Sequence, residues 1–319
     1  MRFTRRMSTA IAYTEFGGPE VLTVIDVDTP VAGDGKVAVR VEAAGINPLD
    51  HKLRSGKRVS PPIDEPRRLG FDGAGIVTAV GDGVEGYRVG DAVVVFGASG
   101  VYASDIVVTP AQLAPRPPHV SAAEGAALGI PIGTAYQTVR SLAIGPRDTV
   151  LVHAGSGSVG QALIQFAALT GATVLATTSD RRADRVRELG ATPLPYGPDV
   201  VARVRELAPQ GITVAIDLVG TDEALAQSIE LLSDKSRIAT LVRGADAAGL
   251  GIRAFSGGNP VPLTAQEQAW RVEAIPVALA LLEAGRFSVE LGPALPLADA
   301  AEAHRLVEAG TDGKVVLVP

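Results

Sequence analysis

The chain contains no cysteine, and this absence excludes several kinds of chemistry at once. Disulfide bonds, catalysis by a thiolate and zinc held by cysteine all need a residue that the sequence lacks. The four histidines lie far apart and form no pair with the spacing of metal ligands. We expect each of them, His51, His119, His153 and His304, to be structural or on the surface.

The chain also lacks a basic surplus, because its net charge is −6 and its arginines are scattered. A protein that binds nucleic acid through the phosphates needs a basic surface, so no nucleic-acid partner is expected. No apolar run reaches about 18 residues, which predicts no membrane-spanning helix. The basic start Met1–Arg6 is not followed by the apolar stretch of a secretory signal, so we expect a cytoplasmic protein. Met7 opens the first expected strand, which leaves open whether residues 1–6 are native.

The 319 residues suffice for two domains, and the first of them has the composition of a β-rich domain. Runs of β-branched residues at 37–41, 75–80 and 91–96 predict short strands separated by glycine turns. The sequence pattern changes from strand-like to helical at Ser121. This residue forms a capping box with Glu124, which predicts the start of a helix.

From residue 149 onward, apolar strands alternate with helices. Strands are predicted at 149–153, 173–177, 213–217 and 237–241, and helices up to Leu169, from Asp180 to Gly190 and over 222–232. Such alternation predicts an α/β fold with a doubly wound parallel sheet covered on both faces. A loop over 249–262 follows, and then helices at 265–284 and 298–309 and a strand at 314–318. We predict a dinucleotide-binding domain over 126–259, inserted between residues 1–125 and 260–319 of the other domain.

A glycine-rich turn, Gly155-Ser156-Gly157-Ser158-Val159-Gly160, follows the strand at 149–153 and opens a helix. Glycine lets the backbone turn tightly and approach a pyrophosphate, and the helix N-terminus offers free N–H groups to the anion. In this strand–turn–helix setting the pattern predicts a nucleotide site, the alternative being a tight turn with only a structural role.

The end of the second strand bears on which nucleotide binds. Sites for NADH place an acidic residue about 20 residues past the glycines, to hold the ribose 2′-hydroxyl. Here the strand ends in the neutral residues Thr177-Thr178-Ser179, and Ser179 and Arg182 would suit a 2′-phosphate, which favours NADPH. Asp180 keeps NADH as the alternative if the strand ends later. In the simplest structural alternative, Arg181 and Arg182 are solvated helix residues and Asp180 is a charge in the first turn.

Five further stretches carry a resemblance to a known family. They are EFGGPEVL at 15–22, GINPLDHK at 45–52, GFDGAGIV at 70–77, IPIGTAY at 130–136 and GKVV at 313–316. From Met7 to its end the chain resembles the quinone oxidoreductase (zeta-crystallin-like) family of the medium-chain dehydrogenase/reductase superfamily. The resemblance implies a GroES-like β-rich catalytic domain and a Rossmann domain, assembled as homodimers.

The resemblance also implies that no metal takes part. Zinc-dependent members of the superfamily have cysteine where this chain has Asn47, a His-Glu pair where it has Phe71-Asp72, and a four-cysteine lobe that is missing here. Oxidation of an ordinary alcohol needs its hydroxyl acidified by a Lewis acid. The expected chemistry is therefore hydride transfer to an acceptor that is already electrophilic, a quinone or an enone.

The resemblance assigns cofactor contacts to residues along the second domain. Thr134 would contact the nicotinamide ribose, and a helix-interior threonine bonded to its own backbone is the simpler alternative. The other assignments are backbone N–H groups of Ser158 and Val159 to the pyrophosphate, Ser179 and Arg182 to the 2′-phosphate, Tyr196 beside the adenosine, and Leu241 and Val242 lining the nicotinamide pocket. For Tyr196, an ordinary buried tyrosine is the alternative.

Asn47 and Lys52 are expected to face the site of hydride transfer. Lys52 would stabilise the reduced oxygen with help from Asp50, or it is a surface lysine paired with Asp50. Many relatives have a tyrosine just after the Arg54-Ser55-Gly56 turn, but this chain continues with Lys57-Arg58-Val59. Proton donation is thus left unassigned, with solvent as one source.

Three functions are consistent with these features. The first is NADPH-dependent reduction of a quinone or activated enone. The second is reduction of an enoyl thioester or a 2-haloacrylate by the same hydride chemistry. The third, of another class, is a catalytically silent protein that binds NADPH.

Overall fold

The computed structural model describes residues 6–58, 60–255 and 259–319 of the chain. The chain forms two compact units, one of residues 1–130 and 275–319 and the other of residues 131–274. The domain boundaries at 125/126 and 259/260 stay a prediction from the sequence. Within the described ranges, no helix is both long and apolar enough to cross a membrane.

The first part of the chain is rich in strands, as its β-branched residues predicted. The strands are β1 Met7–Tyr13, β2 Thr23–Asp28, β3 Val37–Gly45, β4 Arg67–Arg68, β5 Asp72–Val80, β6 Ala92–Val95, β7 Asp105–Val108 and β8 Leu113–Pro115. Two α-helices accompany them, α1 Pro48–Arg54 and α2 Ala122–Ala126. The capping box at α2 is confirmed, since Ser121 Oγ accepts from Glu124 N at 3.2 Å and Glu124 Oε2 accepts from Ser121 N at 2.8 Å.

The second unit has the predicted parallel sheet. After α3 Gly129–Ser141, its strands are β9 Thr149–His153, β10 Thr173–Thr178, β11 Thr192–Pro195, β12 Val214–Asp217, β13 Ile238–Thr240 and β14 Arg253–Ala254. The helices are α4 Ser158–Leu169, α5 Ala183–Glu188, α6 Val200–Leu207, α7 Asp222–Leu231, α8 Ala247–Leu250 and α9 Ala265–Glu283. All strand pairs are parallel, in the order β11-β10-β9-β12-β13-β14. This is the strand order of the Rossmann fold.

The continuous apolar strands follow from burial on both faces of this sheet. Every residue of β9 is buried, and Leu151 packs in one core cluster with Leu175 and Ala215 of the neighbouring strands. The helix predicted from Asp180 is divided into a 3-10 turn at Asp180–Arg182 and α5. It ends as predicted before Gly190, which adopts a φ of 99°.

Four elements of the second unit differ from the prediction, and one of them is α8, where no helix was predicted. The strand β11 and the helix α6 lie where the sequence pattern predicted neither. The predicted loop over 249–262 contains the short strand β14, which pairs with β13 and adds a sixth strand to the sheet. Residues 256–258 of that stretch lie outside the described residues. Short, half-buried strands lack the long apolar run that identifies a central strand.

The chain returns to the first unit with β15 Leu291–Pro296, α10 Ala300–Glu308 and β16 Lys314–Val318. Short 3-10 turns lie at Pro19–Val21, Pro110–Gln112, Asp180–Arg182, Lys235–Arg237 and Leu297–Asp299. The sheets of this unit are β2-β1-β4 and the larger β15-β16-β3-β5-β6-β8, with β7 on β3. Most of these pairs are antiparallel, and the GroES-like prediction for this unit and the Rossmann prediction for the other are both confirmed.

The pairing of β16 with β3 positions the candidate site of the first unit. It is antiparallel and aligns Val316 with Gly45, and Ile46 N donates to Val315 O, so that Lys314 comes beside Asn47 just past the end of β3. A Cβ added to Gly45 would lie 2.7 Å from Lys314 Cε and 2.0 Å from the carbonyl oxygen of Ala126. Glycine at this position therefore makes room for the lysine stem beneath α2.

Candidate active site

The glycine turn between β9 and α4 is built on close approaches that only glycine permits. A Cβ on Gly155 would lie 2.6 Å from Ala176 Cβ, and one on Gly160 would lie 2.5 Å from the carbonyl oxygen of Ala154. A Cβ on Gly157, by contrast, would meet only the Ala154 carbonyl oxygen, at 3.8 Å. The outer two glycines thus serve the packing of the turn, and the middle one leaves open space at the start of the helix.

The N-terminus of α4 is available to an anion. Gly157 is the N-cap residue and, as a glycine, has no side chain that could cap the helix. The helix α4 then begins with the exposed Ser158 and the half-buried Val159. Gln161 N donates to Gly157 O at 2.8 Å, which starts the helix hydrogen bonds one turn later. The first-turn N–H groups of a helix have no partner within it. The N–H groups of Ser158 and Val159 are therefore placed where an anion could meet them, and their contact with a pyrophosphate stays a prediction.

The structure brings Arg182 to the glycine turn. Strand β10 ends at Thr178, Ser179 is the N-cap of the following 3-10 turn, and the Arg182 backbone N donates to Ser179 O at 2.9 Å. The Arg182 guanidinium donates to the carbonyl oxygen of Ser156 at 3.4 Å, across 26 residues of sequence. Strand β10 ends at Thr178, one residue later than predicted, and Asp180 is exposed within the following 3-10 turn.

Tyr196 lies beside the end of β10. It follows β11 directly, and β11 pairs with β10 so that Pro195 aligns with Thr178. Its side chain is 69% exposed, so the interpretation of Tyr196 as an ordinary buried tyrosine is wrong. An exposed aromatic ring at the carboxyl edge of the sheet is available to pack against a base.

The carboxyl ends of β9, β12 and β13 meet in a polar layer that sequence reasoning missed. Asp217 is buried, and it accepts hydrogen bonds from Thr240 Oγ1 at 2.7 Å and from Gly220 N at 2.8 Å. His153 aligns with Asp217, and burial lowers the pKa of its imidazole to about 4, with the Asp217 carboxylate opposing. A polar residue ending each of three apolar strands was the signal available in the sequence.

This layer positions the main chain after β13, where Leu241 and Val242 were predicted to line the nicotinamide pocket. Leu241 N donates to Asp217 O at 2.9 Å, and Val242 N donates to Thr240 Oγ1 at 3.3 Å. The Leu241 side chain is buried, whereas that of Val242 is half-buried. The structure thus holds the backbone of both residues at the carboxyl edge of the sheet.

Thr134 lies in α3 and is buried. Its carbonyl oxygen accepts a hydrogen bond from Thr138 Oγ1 at 2.8 Å. Among the described residues, the Thr134 hydroxyl makes no hydrogen bond to its own helix, unlike that of Thr138. The interpretation as a threonine that bonds its own backbone is therefore not supported, and the contact with a nicotinamide ribose stays a prediction.

The first unit contains a buried polar cluster, formed by Asn47, Asp50, Asp72, Tyr102 and Lys314. None of the five is more than 3% exposed. Asn47 Nδ2 donates to Asp72 Oδ2 at 2.8 Å, and Lys314 Nζ donates to Asn47 Oδ1 at 2.6 Å. Asp50 Oδ2 accepts from Asn47 N at 2.7 Å and from Tyr102 Oη at 2.7 Å. We call these five residues the Asn47 cluster.

Burial dominates the electrostatics of the Asn47 cluster. It raises the pKa of Asp50 to about 7, against the opposing hydrogen bonds from Asn47 and Tyr102. It also raises the pKa of Asp72 and lowers that of Lys314, while the mutual attraction of these two charges opposes both shifts. The pKa of Tyr102 lies well above its ordinary value, because burial and the Asp50 carboxylate both disfavour the phenolate. Asp50 is thus the group whose protonation changes near neutral pH.

The pairing of Lys52 with Asp50 is a wrong prediction. The Asp50 carboxylate faces Asn47 and Tyr102 inside the unit, whereas Lys52, two residues on along α1, is half-buried. Helix positions two residues apart lie on different faces, so the two side chains do not meet. Asp50 therefore supports Asn47 rather than Lys52, and a catalytic role for Lys52 stays a prediction.

Tyr102 and Lys314 were not assigned a role from the sequence. The motif of residues 313–316 included Lys314 only as part of the resemblance, and Tyr102 lies in no motif. The tyrosine missing after Gly56 has no substitute nearby in sequence, yet Tyr102 brings a phenol to Asp50 from another segment. A lysine inside a buried apolar strand, as in Lys314–Val318, was the available signal.

The structure places the four histidines in different surroundings. His153 and His304 are buried, His51 is half-buried 3.8 Å from Glu308 Oε1, and His119 is exposed. Burial lowers the pKa of His304 to about 3, with the neighbouring Arg54 adding to the shift. Over the described ranges of the chain, no group of three or more His, Asp or Glu side chains is placed to hold a metal ion.

The donor set at Asn47 does not fit a zinc ion. The amide of Asn47 is already hydrogen-bonded on both sides, and the ammonium of Lys314 lies 4.0 Å from Asp72 Oδ2. Zinc in proteins is held by thiolate, imidazole and carboxylate groups. The Lys314 ammonium places a positive charge beside the neutral Asn47 amide.

Comparisons with known proteins agree with this architecture. The family model for the alcohol dehydrogenase GroES-like domain matches residues 33–118, and that for the zinc-binding dehydrogenase domain matches residues 158–253. The chain is 31% identical to the quinone oxidoreductase of Sus scrofa over 337 residues, which cover 98% of each protein.

Two solved structures show the same fold over the full length. The Escherichia coli quinone oxidoreductase in complex with NADPH has a TM-score of 0.84 and 27% identity, covering 98% of this chain and 100% of that one. An NAD-dependent alcohol dehydrogenase has a TM-score of 0.82 and 34% identity, covering 98% of this chain and 99% of that one. Fold and matches together define a dehydrogenase-type oxidoreductase. The chain belongs to the quinone oxidoreductase (zeta-crystallin-like) family of the medium-chain dehydrogenase/reductase superfamily.

Proposed function

We propose that this protein reduces a quinone or an activated enone with NADPH, by hydride transfer without a metal ion. The observation that carries the proposal is the convergence of Arg182 with the glycine turn, where the guanidinium lies 3.4 Å from the Ser156 carbonyl oxygen. A dinucleotide whose pyrophosphate lies on the turn would bring its 2′-phosphate toward the end of β10. Arg182 would then pair with that phosphate and Ser179 would bond it.

The choice of NADPH over NADH rests on charge at the end of β10. The strand ends in the neutral Thr178, and the acidic Asp180 is exposed in the next turn. The relative from Escherichia coli was solved with NADPH, which supports the same choice. The NAD-dependent alcohol dehydrogenase of similar fold keeps NADH as the alternative cofactor.

The nature of the acceptor follows from what the Asn47 cluster supplies. NADPH, when bound, provides the hydride. The cluster provides a buried ammonium and an amide, and neither acidifies an alcohol as a Lewis acid does. An acceptor that is already electrophilic needs only a hydrogen-bond donor for the oxygen that gains charge. A quinone or an enone meets this condition, and an enoyl thioester is the second candidate because it adds hydride in the same way.

The family's homodimer and the cytoplasmic location stay predictions alongside this function. So does the catalytic role of Lys52, whose half-buried ammonium stands two residues from Asp50 on α1. The catalytically silent NADPH-binding protein remains an outcome of the test below.

The cofactor assignment is tested with Arg182→Ala, with Arg181→Ala as the matched control on the same 3-10 turn. We expect Arg182→Ala to raise the Kd of NADPH about 10- to 100-fold, since a hydrogen bond to a charged group contributes about 1.5–3 kcal/mol. The Kd of NADH should change less than about threefold, because NADH has no 2′-phosphate, and the exposed Arg181 should matter little for either. Titration of both cofactors by fluorescence measures this, and equal losses for both would contradict the 2′-phosphate role.

The acceptor assignment is tested with a matrix of two cofactors and three acceptor classes, followed at the nicotinamide absorbance. Quinone and enone should be reduced with NADPH faster than an enoyl thioester. Faster reduction of the thioester would shift the proposal to the second candidate. Tight NADPH binding with no turnover of any acceptor would leave the silent binding protein.

A further inference from the structure

The amide of Asn47 lies between two groups of opposite hydrogen-bonding character. Lys314 Nζ donates to its Oδ1 at 2.6 Å, and its Nδ2 donates to Asp72 Oδ2 at 2.8 Å. An ammonium only donates and an ionised carboxylate only accepts, so the amide has one orientation that satisfies both partners. The two neighbours thus determine which end of the amide is oxygen and which is nitrogen.

Asp72 is itself held in place from several sides. The backbone N of Ile130, in the first turn of α3, donates to Asp72 Oδ2 at 2.8 Å. A Cβ added to Gly129 would lie 1.9 Å from Asp72 Oδ1, so α3 begins directly against the carboxylate. Asp72 is 0% exposed, which leaves it no room to leave Asn47. The carboxylate is therefore a rigid acceptor for one of the two Nδ2 hydrogens.

Burying a lysine and an aspartate together is costly in free energy. Lys314 Nζ and Asp72 Oδ2 are 4.0 Å apart, and both side chains are at most 4% exposed. The two charged groups interact mainly through the Asn47 amide, which is hydrogen-bonded to both of them. Apolar residues of similar size would often fill such a space at no loss of stability, so the arrangement points to a role for the amide itself.

We propose that Lys314 is a positioning residue, which orients and polarises the Asn47 amide so that its second Nδ2 hydrogen binds the oxygen of the acceptor. This rests on the proposed reductase function. The ammonium at Oδ1 draws electron density from the amide and makes its N–H groups stronger donors. As hydride adds to a quinone or an enone, negative charge grows on the acceptor oxygen, and a donor that is already oriented stabilises it without reorganisation.

The orientation is testable by NMR because the chain contains only two asparagines, Asn47 and Asn259. Asparagine-selective 15N labelling then yields two side-chain amide pairs, and Asn259→Asp assigns them. In Lys314→Met, the Asn47 pair should shift or broaden, while the Asn259 pair, whose Nδ2 bonds Ala254 O at 2.8 Å, stays unchanged. In Lys314→Arg the two Asn47 amide signals should stay resolved as in wild type, because the arginine again donates to Asn47 Oδ1. An Asn47 pair that is identical in wild type and Lys314→Met overturns the proposal.

Lys314→Met leaves the Asp72 charge buried without its cation, so a second variant guards against misfolding. Lys314→Met with Asp72→Ser removes both charges without adding a third asparagine, and the Asn47 amide signals should show the same loss of orientation. If this double variant folds with the wild-type Asn47 signals, Lys314 does not orient the amide.

Kinetics separate positioning from a structural role. Lys314→Met should lower kcat for a quinone by about 100-fold, since loss of an oriented donor costs about 10²–10³ in kcat. The Kd of NADPH should stay within about twofold, because the glycine turn is untouched. Asn47→Ala should lose as much kcat, and adding Lys314→Met to it should lose little more, since the two act as one unit. Additive losses overturn the proposal. A wild type that reduces no acceptor overturns the proposed function instead, and the NMR result still decides the orientation.

Discussion

The glycine turn and the Asn47 cluster are built in opposite ways. The turn is a continuous stretch from Ala154 to Gly160, to which one distant side chain, Arg182, is added. The cluster draws on four separate segments, and the contact between Asn47 and Lys314 spans 267 residues. Every hydrogen bond within the Asn47 cluster involves a buried side chain. The glycine turn, in contrast, is formed by backbone groups.

The difference shows two ways to prepare a site for a charged ligand or intermediate. At the turn, close backbone packing leaves the helix N-terminus open and lets an anion complete it. In the cluster, the charges are already paired inside the protein, and the Asn47 amide bridges them. Mutations should therefore damage the turn through sterics and the cluster through charge and pH.

The largest effect is expected from Gly160→Ala. Its Cβ would lie within 2.7 Å of the carbonyl oxygens of both Ala154 and Gly155, so the turn must open. We expect a loss of about 1–3 kcal/mol in stability, as for other overpacked sites, and at least about 100-fold weaker NADPH binding. Thermal denaturation and cofactor titration measure the two effects.

Gly157→Ala is the matched control for this substitution. The added Cβ meets only one atom, at 3.8 Å, so the Tm should stay within about 2 °C of wild type. NADPH binding should still weaken by about tenfold, because the pyrophosphate approaches the backbone there. If Gly157→Ala and Gly160→Ala destabilise the fold equally, the division of roles among the glycines is wrong.

Asp50→Asn tests the cluster through pH. Burial raises the pKa of Asp50 from 3.8 to about 7 in the folded protein. Between these values the folded state keeps a proton that the unfolded state has released, so stability falls as pH rises toward 7. Asparagine removes this dependence while keeping an acceptor for Asn47 N and Tyr102. The fall in the free energy of unfolding between pH 5 and pH 8 should therefore be about 2–3 kcal/mol smaller in the variant than in wild type.

Urea denaturation at four pH values between 5 and 8 measures this slope. The exposed Asp64 provides the control, since Asp64→Asn should leave the pH dependence of wild type intact. Parallel curves for wild type and Asp50→Asn would show that the carboxyl is already ionised in the folded state at pH 5.

The smallest effect is expected from Tyr196→Ala. Its ring is 69% exposed, so removal should leave the Tm unchanged. Packing of an aromatic ring against adenine contributes about 0.5–1.5 kcal/mol, which predicts a three- to tenfold rise in the Kd of NADPH. Tyr196→Phe should bind as wild type does. A Kd that stays the same in Tyr196→Ala would remove this residue from the adenosine site and leave the turn to bind the cofactor with Arg182.

Much of the second unit could be predicted because its signals are local. The strand at 149–153 and the end of α4 at Leu169 agree with the predicted bounds. Strands β11 and β14 were missed, since they are two to four residues long and not apolar throughout. In the first unit the pattern predicted strands, but it did not predict which of their polar residues meet.

What the sequence determined by itself is the glycine turn between β9 and α4. Backbone sterics act over a few residues, so the spacing of Gly155, Gly157 and Gly160 after an apolar strand is enough to predict a nucleotide site. The partners of Asn47 were decided by the tertiary structure alone. A buried charge is stabilised by whichever segment the fold brings to it, and the pairing of β16 with β3 brings Lys314 rather than Lys52 to the cluster.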